Sequence, residues 1–159
     1  LVIYDQSDYE QRPVVIEADY RDTSFTKWKL NTKTADTKYA SCRVSYVEPA
    51  TGACIEYTAY TEDYDEDAKT NQQLELYAKV GSVAEAKTMA EKHLRLHNKF
   101  SKTVQFTHTG HVWYVAGVGI RVKGYGFWNG RYICTQAKHT INKNGYTTTV
   151  TGRRILEGY

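Results

Sequence analysis

The chain has 159 residues, 41% of them hydrophobic and 25% charged, and three Cys. That is ordinary globular usage, enough for one domain or two small ones, and it excludes wholesale disorder. No stretch nears the roughly 20 apolar residues that span a bilayer, and the formal net charge is +3. The start, Leu1-Val2-Ile3-Tyr4, has neither a basic n-region nor a small-residue cleavage site, so it does not read as a signal peptide. The only Met is Met89, which reads as a piece of a longer protein or a processed chain. The small net charge hides a split. Residues 1–80 hold nine Lys+Arg against fifteen Asp+Glu, and residues 81–159 hold twelve against three. Such asymmetry governs association, through a basic part meeting a polyanion or an acidic surface meeting a basic one.

The first half reads as β. Val14-Val15-Ile16 follows Pro13, which suits the start of a strand. Lys27-Trp28-Lys29-Leu30 is a short strand beside a polar loop around Asn31-Thr32-Lys33-Thr34. Two further strands, 39–47 and 53–60, flank the turn residues Glu48-Pro49-Ala50-Thr51-Gly52 and make a hairpin. Cys42, Cys54 and Cys134 are an odd count without a CxxC pair. This favours a reducing compartment, with a single Cys42–Cys54 bridge across the hairpin as the alternative.

Glu62 to Asp67 is an acidic loop. Asp63, Asp65 and Asp67 match the first ligands of a calcium loop, but Ala68 stands where the sharp-turn Gly belongs and Leu74 where the bidentate Glu belongs. The reading is therefore a solvated loop. Next comes the main helix, expected over residues 83–98. Ser82-Val83-Ala84-Glu85 is a capping box, and Val83, Ala86, Ala90, Leu94 and His97 recur on one face. Asn98 and Lys99 close it.

Beyond Ser101 the chain returns to strands at 103–108, 118–123, 132–141 and 146–155, the last two joined by Asn144-Gly145, a strong hairpin signal. The fold class expected is α+β, mostly β: an antiparallel, barrel-like sheet with one main α-helix. Residues 1–81 would be an acidic β-rich segment, a separate small subdomain as one option, and residues 82–159 the helix and barrel.

Catalytic and cofactor motifs are missing. His93 and His97 have metal-ligand spacing, but no Glu at 94 supplies the zincin base. Gly117-x-Gly119 continues as a strand and not into the helix N-terminus that a dinucleotide needs. Carboxylates are too scarce in the second half for a paired-acid hydrolase built there. The expectation is no enzyme, no cofactor and no metal. Arg121, Lys123, Arg131, Lys138, Arg153 and Arg154 lie among Trp113, Tyr114, Tyr125, Phe127, Trp128, Tyr132 and Tyr146, a composition compatible with a stacking platform for single strands. No RRM, KH or zinc-finger motif backs that reading, so nucleic acid is not expected as a specific ligand.

The most specific signal is an order of short pieces. After the capped helix come Lys102 to Thr107, Gly119-Ile120-Arg121-Val122, Asn129-Gly130-Arg131-Tyr132-Ile133, His139-Thr140-Ile141 and Gly145-Tyr146-Thr147-Thr148. This succession, over roughly residues 82–155, resembles the C-terminal part of the phage late control D family, hub proteins of contractile tails. The resemblance implies a β-barrel with a flanking helix, assembled as a homotrimer that joins tail tube to spike, without enzymatic turnover. It implies a place in the virion tail, assembled in the bacterial cytoplasm, with tail-tube and spike proteins as partners. Gly119, Gly130, Tyr132, Ile133, His139, Ile141, Gly145, Tyr146, Thr147 and Thr148 are then structural motif residues, with His139 orienting or packing. Arg121, Lys123, Tyr125, Phe127, Trp128, Arg131, Arg153 and Arg154 are the candidate interface. The alternative is a cell-wall or carbohydrate-binding β module, suggested by Tyr and Trp on short strands.

Overall fold

The structure, a computed structural model, describes residues 6–32, 38–68 and 70–156. The expected features at Leu1–Tyr4 and at Lys33-Thr34 lie outside the described residues. A short helix, α1 (Gln6–Glu10), precedes strands β1 (Val14–Asp19), β2 (Phe25–Thr32), β3 (Ser41–Val47), β4 (Cys54–Tyr60) and β5 (Gln73–Tyr77). Helix α2 (Val83–Asn98) follows, then β6 (Lys102–Thr109), β7 (Gly119–Lys123), β8 (Gly130–Asn142) and β9 (Gly145–Arg154). The fold is α+β and mostly β, with a curled, half-barrel sheet and one main helix. None of its described helices is long and apolar enough to cross a membrane.

Two compact units result. One is drawn from residues 1–32 and 100–155, the other from residues 33–99. In the first, six strands form one sheet in the order β1-β7-β8-β9-β6-β2. The sheet is antiparallel as expected except at one edge, where β1 runs parallel to β7. Period-two alternation aims Val104 and Phe106 of β6, Val150 of β9, and Ile120 and Val122 of β7 at one face. There they pack with Ile16, Ala18, Phe25, Tyr132 and Cys134 in a closed apolar core. Gly119 is required by that packing: a Cβ there would sit 2.8 Å from the Pro13 carbonyl oxygen of the approaching β1.

In the second unit, three strands pair in the order β4-β3-β5, β5 parallel to β3. Cys42, Val44, Ala59, Leu74 and Leu76 face α2, which answers with Ala86, Ala90 and Leu94. The helix thus packs on the strands that precede it in sequence. Its cap forms as the capping box predicts at Ser82, whose hydroxyl accepts the Glu85 N–H. The Glu85 carboxylate reaches one residue further back than the motif prescribes, accepting the Gly81 N–H at 2.7 Å. The buried face runs Ala86-Ala90-Leu94-Asn98, while Val83 and His97 stay exposed. Asn98 is fully buried because its amide closes a pair with residue 39, accepting the Tyr39 N–H at 3.1 Å and donating to the Tyr39 carbonyl at 2.7 Å.

The three cysteines are free thiols. Cys42 pairs in register with Ala59, and Cys54 with Val47, so the two stand at opposite ends of the β3–β4 hairpin and cannot bridge.

Candidate functional site

The motif residues gather on β8 and β9. Antiparallel register sets His139 opposite Thr148, Thr140 opposite Thr147 and Ile141 opposite Tyr146. Gly145 and Gly130 carry φ of +114° and +143°, as expected for glycines at the turns entering β9 and β8. Tyr132 is fully buried and its hydroxyl donates to the Trp128 carbonyl at 2.7 Å, and its burial pushes the phenol upward. Ile133 is also buried.

His139 is the hub of a small polar network. Its Nε2 lies 3.0 Å from the Tyr114 carbonyl oxygen, which only accepts, so Nε2 carries the proton in the neutral ring. Nδ1 then accepts from the Tyr146 hydroxyl at 2.7 Å and faces the Thr148 hydroxyl at 3.2 Å. Thr148, fully buried, accepts the His111 N–H at 3.1 Å. The Gly110 N–H donates to the Tyr146 carbonyl at 2.8 Å. Together these bonds pin residues 110–118, the connection between β6 and β7, to the β8–β9 hairpin. Tyr114 is thereby held in the core, stacked on His111 at 4.6 Å, and its burial raises the phenol. Val112, Trp113 and Val115 are held outward, Trp113 at 69% exposure. His139 thus bonds both to the loop and to the hairpin. Among the described residues, no group of three or more His, Cys, Asp or Glu could hold a metal.

The eight candidate interface residues divide into distinct roles. Arg121 and Lys123 are exposed and reach Glu17 on the parallel neighbour β1, at 3.7 and 3.0 Å. Arg131 donates to the backbone carbonyls of Glu10 and Arg12, both at 3.1 Å. Arg153 is withdrawn from the surface: it is buried and bonded at 2.5 Å to Glu10, itself buried. Arg154 donates to the Phe127 carbonyl. Tyr125 lies against Trp28, ring centroids 4.4 Å apart, and Trp128 is half-buried with its indole N–H unpartnered. Phe127 stays exposed beneath the Lys102 ammonium, 3.4 Å from the ring centroid. The arginines therefore serve mostly to tie α1 and the 126–128 turn to the sheet.

A surface the motif reading missed lies on the sheet's other side. Thr103, Gln105 and Thr107 of β6 stand in register with Arg153, Thr151 and Thr149 of β9, all opposite the core face. The Gln105 amide donates to Thr151 Oγ1 at 3.3 Å, and the Thr107 and Thr149 hydroxyls bond at 3.1 Å. The alternation of Thr in both strands was a visible signal for it.

Compared with known families, residues 43–151 match the YQBQ-like model. The chain belongs to the YQBQ-like family. No curated protein matches its sequence. Among solved structures, this YQBQ-like fold is similar to the tail protein from Neisseria meningitidis MC58 (TM-score 0.67, 12% identity), covering 90% of this chain and 45% of that one. It is similar to the 43 kDa tail protein of prophage MuSo2 from Shewanella oneidensis (TM-score 0.68, 10% identity), covering 87% and 44%. It also resembles a chain of a native gene transfer agent virion (TM-score 0.50, 18% identity), covering 90% and 32%. The chain thus spans less than half the length of the tail proteins whose fold it shares.

Proposed function

We propose that the chain is a structural part of a phage or phage-like contractile tail, the hub segment that joins tail tube to spike as a homotrimer. In this reading it is akin to the late control D hubs and acts by assembly, without turnover or cofactor. Its place is the virion tail, put together in the bacterial cytoplasm. The observation that carries the reading is the fold likeness to two tail proteins, one of them from a prophage, over 87–90% of this chain. The site chemistry supports it: the His139 network positions a loop, and the buried Glu10–Arg153 pair anchors a helix. Both are devices for a fixed shape. Deleting the gene from a particle-producing strain tests the proposal. Loss of assembled tails, restored by the gene supplied in trans, is the expected result. Normal tails in the deletion strain would refute it.

A further inference from the structure

We infer that self-association, which rests on the reading above, is made by two different sheet faces. The outer face of β3–β4–β5 receives the outer face of β2–β6–β9–β8 from a second copy. The two units differ in charge. Among the described residues, the unit of 1–32 and 100–155 holds twelve Lys+Arg against five Asp+Glu, a net +7. The unit of 33–99 holds seven against ten, a net −3.

The faces themselves repeat the contrast. On β2, β6, β9 and β8, the positions opposite the core carry the exposed Lys29 and Lys138 among Thr, Gln and Asn, while Arg153 at one end is covered by its ion pair with Glu10 of α1. On β3, β4 and β5, the positions opposite α2 carry Glu56 and Glu75 around Arg43. Arg43 bonds Glu56 at 2.6 Å and stands 4.0 Å from Glu75. This face also exposes Tyr60 and Tyr77, the latter at 81%, large side chains with apolar area left to cover.

On both faces several polar groups are already paired along the surface. Gln105 bonds Thr151, Thr107 bonds Thr149, and the Tyr77 hydroxyl donates to Glu75 at 3.0 Å. Covering them leaves few groups newly unsatisfied. Because the two faces differ, the contact is heterologous, and repetition closes a ring when the rotation permits. Three strands of this length span roughly 14 by 20 Å, below the ~800 Å² per partner of a standard interface. The contact is accordingly weak and salt-sensitive, its charges setting register and partner choice.

The test is a charge swap in the full-length protein, read by sedimentation at low salt. Lys29→Glu with Lys138→Glu, and separately Glu56→Lys with Glu75→Lys, each weaken association about tenfold, and the fourfold variant recovers most of it. Glu56→Gln with Glu75→Gln removes charge without crowding Arg43 and weakens it by a smaller factor. All four sites are exposed, so a circular-dichroism melt serves as the check on folding. Wild-type association left unchanged by every variant would overturn the face assignment alone. A wild-type protein that stays monomeric at every salt concentration would overturn self-association as well.

Discussion

His139 shows how one side chain sets a surface. Its Nε2–H bond to the Tyr114 carbonyl and the Thr148 bond to the His111 N–H hold a loop that carries Val112, Trp113 and Val115 outward. His139→Ala costs about 0.5–1.5 kcal/mol. Thr148→Val, which strands the His111 N–H, costs about 1–3 kcal/mol. In hydrogen exchange the His111 amide loses protection in Thr148→Val while amides of α2 do not. Equal protection in both proteins would deny the loop its pin. The thiols offer a second residue-scale check. Burial pushes Cys134 from 9.0 up to about 11 and also raises Cys42, whereas Cys54 is exposed. At pH 8, Cys54 alone reacts quickly with iodoacetamide, and the other two react on unfolding. Linkage follows with a definite sign. Between pH 9 and 11 the unfolded chain releases the Cys134 proton while the folded chain keeps it, so the stability present below pH 9 falls as pH rises. The loss from this group is about 2–3 kcal/mol, and Cys134→Ala flattens that part of the pH profile in urea titrations.

At the scale of elements, α1 and α2 are held in opposite ways. The short α1 is held by a buried ion pair, Glu10 to Arg153, and by the Arg131 bonds to the Glu10 and Arg12 carbonyls. Glu10→Ala leaves a buried guanidinium uncompensated and costs about 3–5 kcal/mol. The double change Glu10→Leu, Arg153→Met costs much less in the same denaturant titration. Helix α2 is held by its cap and its apolar stripe: Ser82→Ala costs about 1 kcal/mol and Leu94→Ala about 2–5 kcal/mol. A reversed order of those two would contradict the packing of α2 on β3 and β4. These two helices also mark how far the sequence could be read. The bounds of α2 were legible, because a capping box and a four-residue apolar step are local signals. Nothing local announces that Glu10 will meet Arg153 143 residues later, so Arg153 read as a surface cation. Strand β5 is absent from the sequence expectations: Leu74 and Leu76 alternate there, but five residues after an acidic loop are too short a signal to stand alone. The parallel pairings β1–β7 and β3–β5 depend on long connections, which leave no mark comparable to Asn144-Gly145.

For the whole molecule, the modest net charge of +3 is the sum of two compact units of opposite sign. The sequence put the acidic and basic parts on either side of residue 81. The chain contacts regroup them, since β1 and β2 join the basic sheet and α2 joins the acidic unit. The YQBQ-like match runs through both units, from residue 43 to 151. The expected motif residues fall in sequence order along β7, β8 and β9, with His139 expected to orient or pack. Only the folded register brings His139, Tyr146 and Thr148 to the 110–118 loop. The central claim is a structural place in a tail, and reconstruction of purified particles by electron cryomicroscopy tests it most directly. Density for this fold is expected at the junction of tail tube and spike, in three copies around the axis. Particles that lack the protein altogether, or that carry it elsewhere along their length, would contradict it.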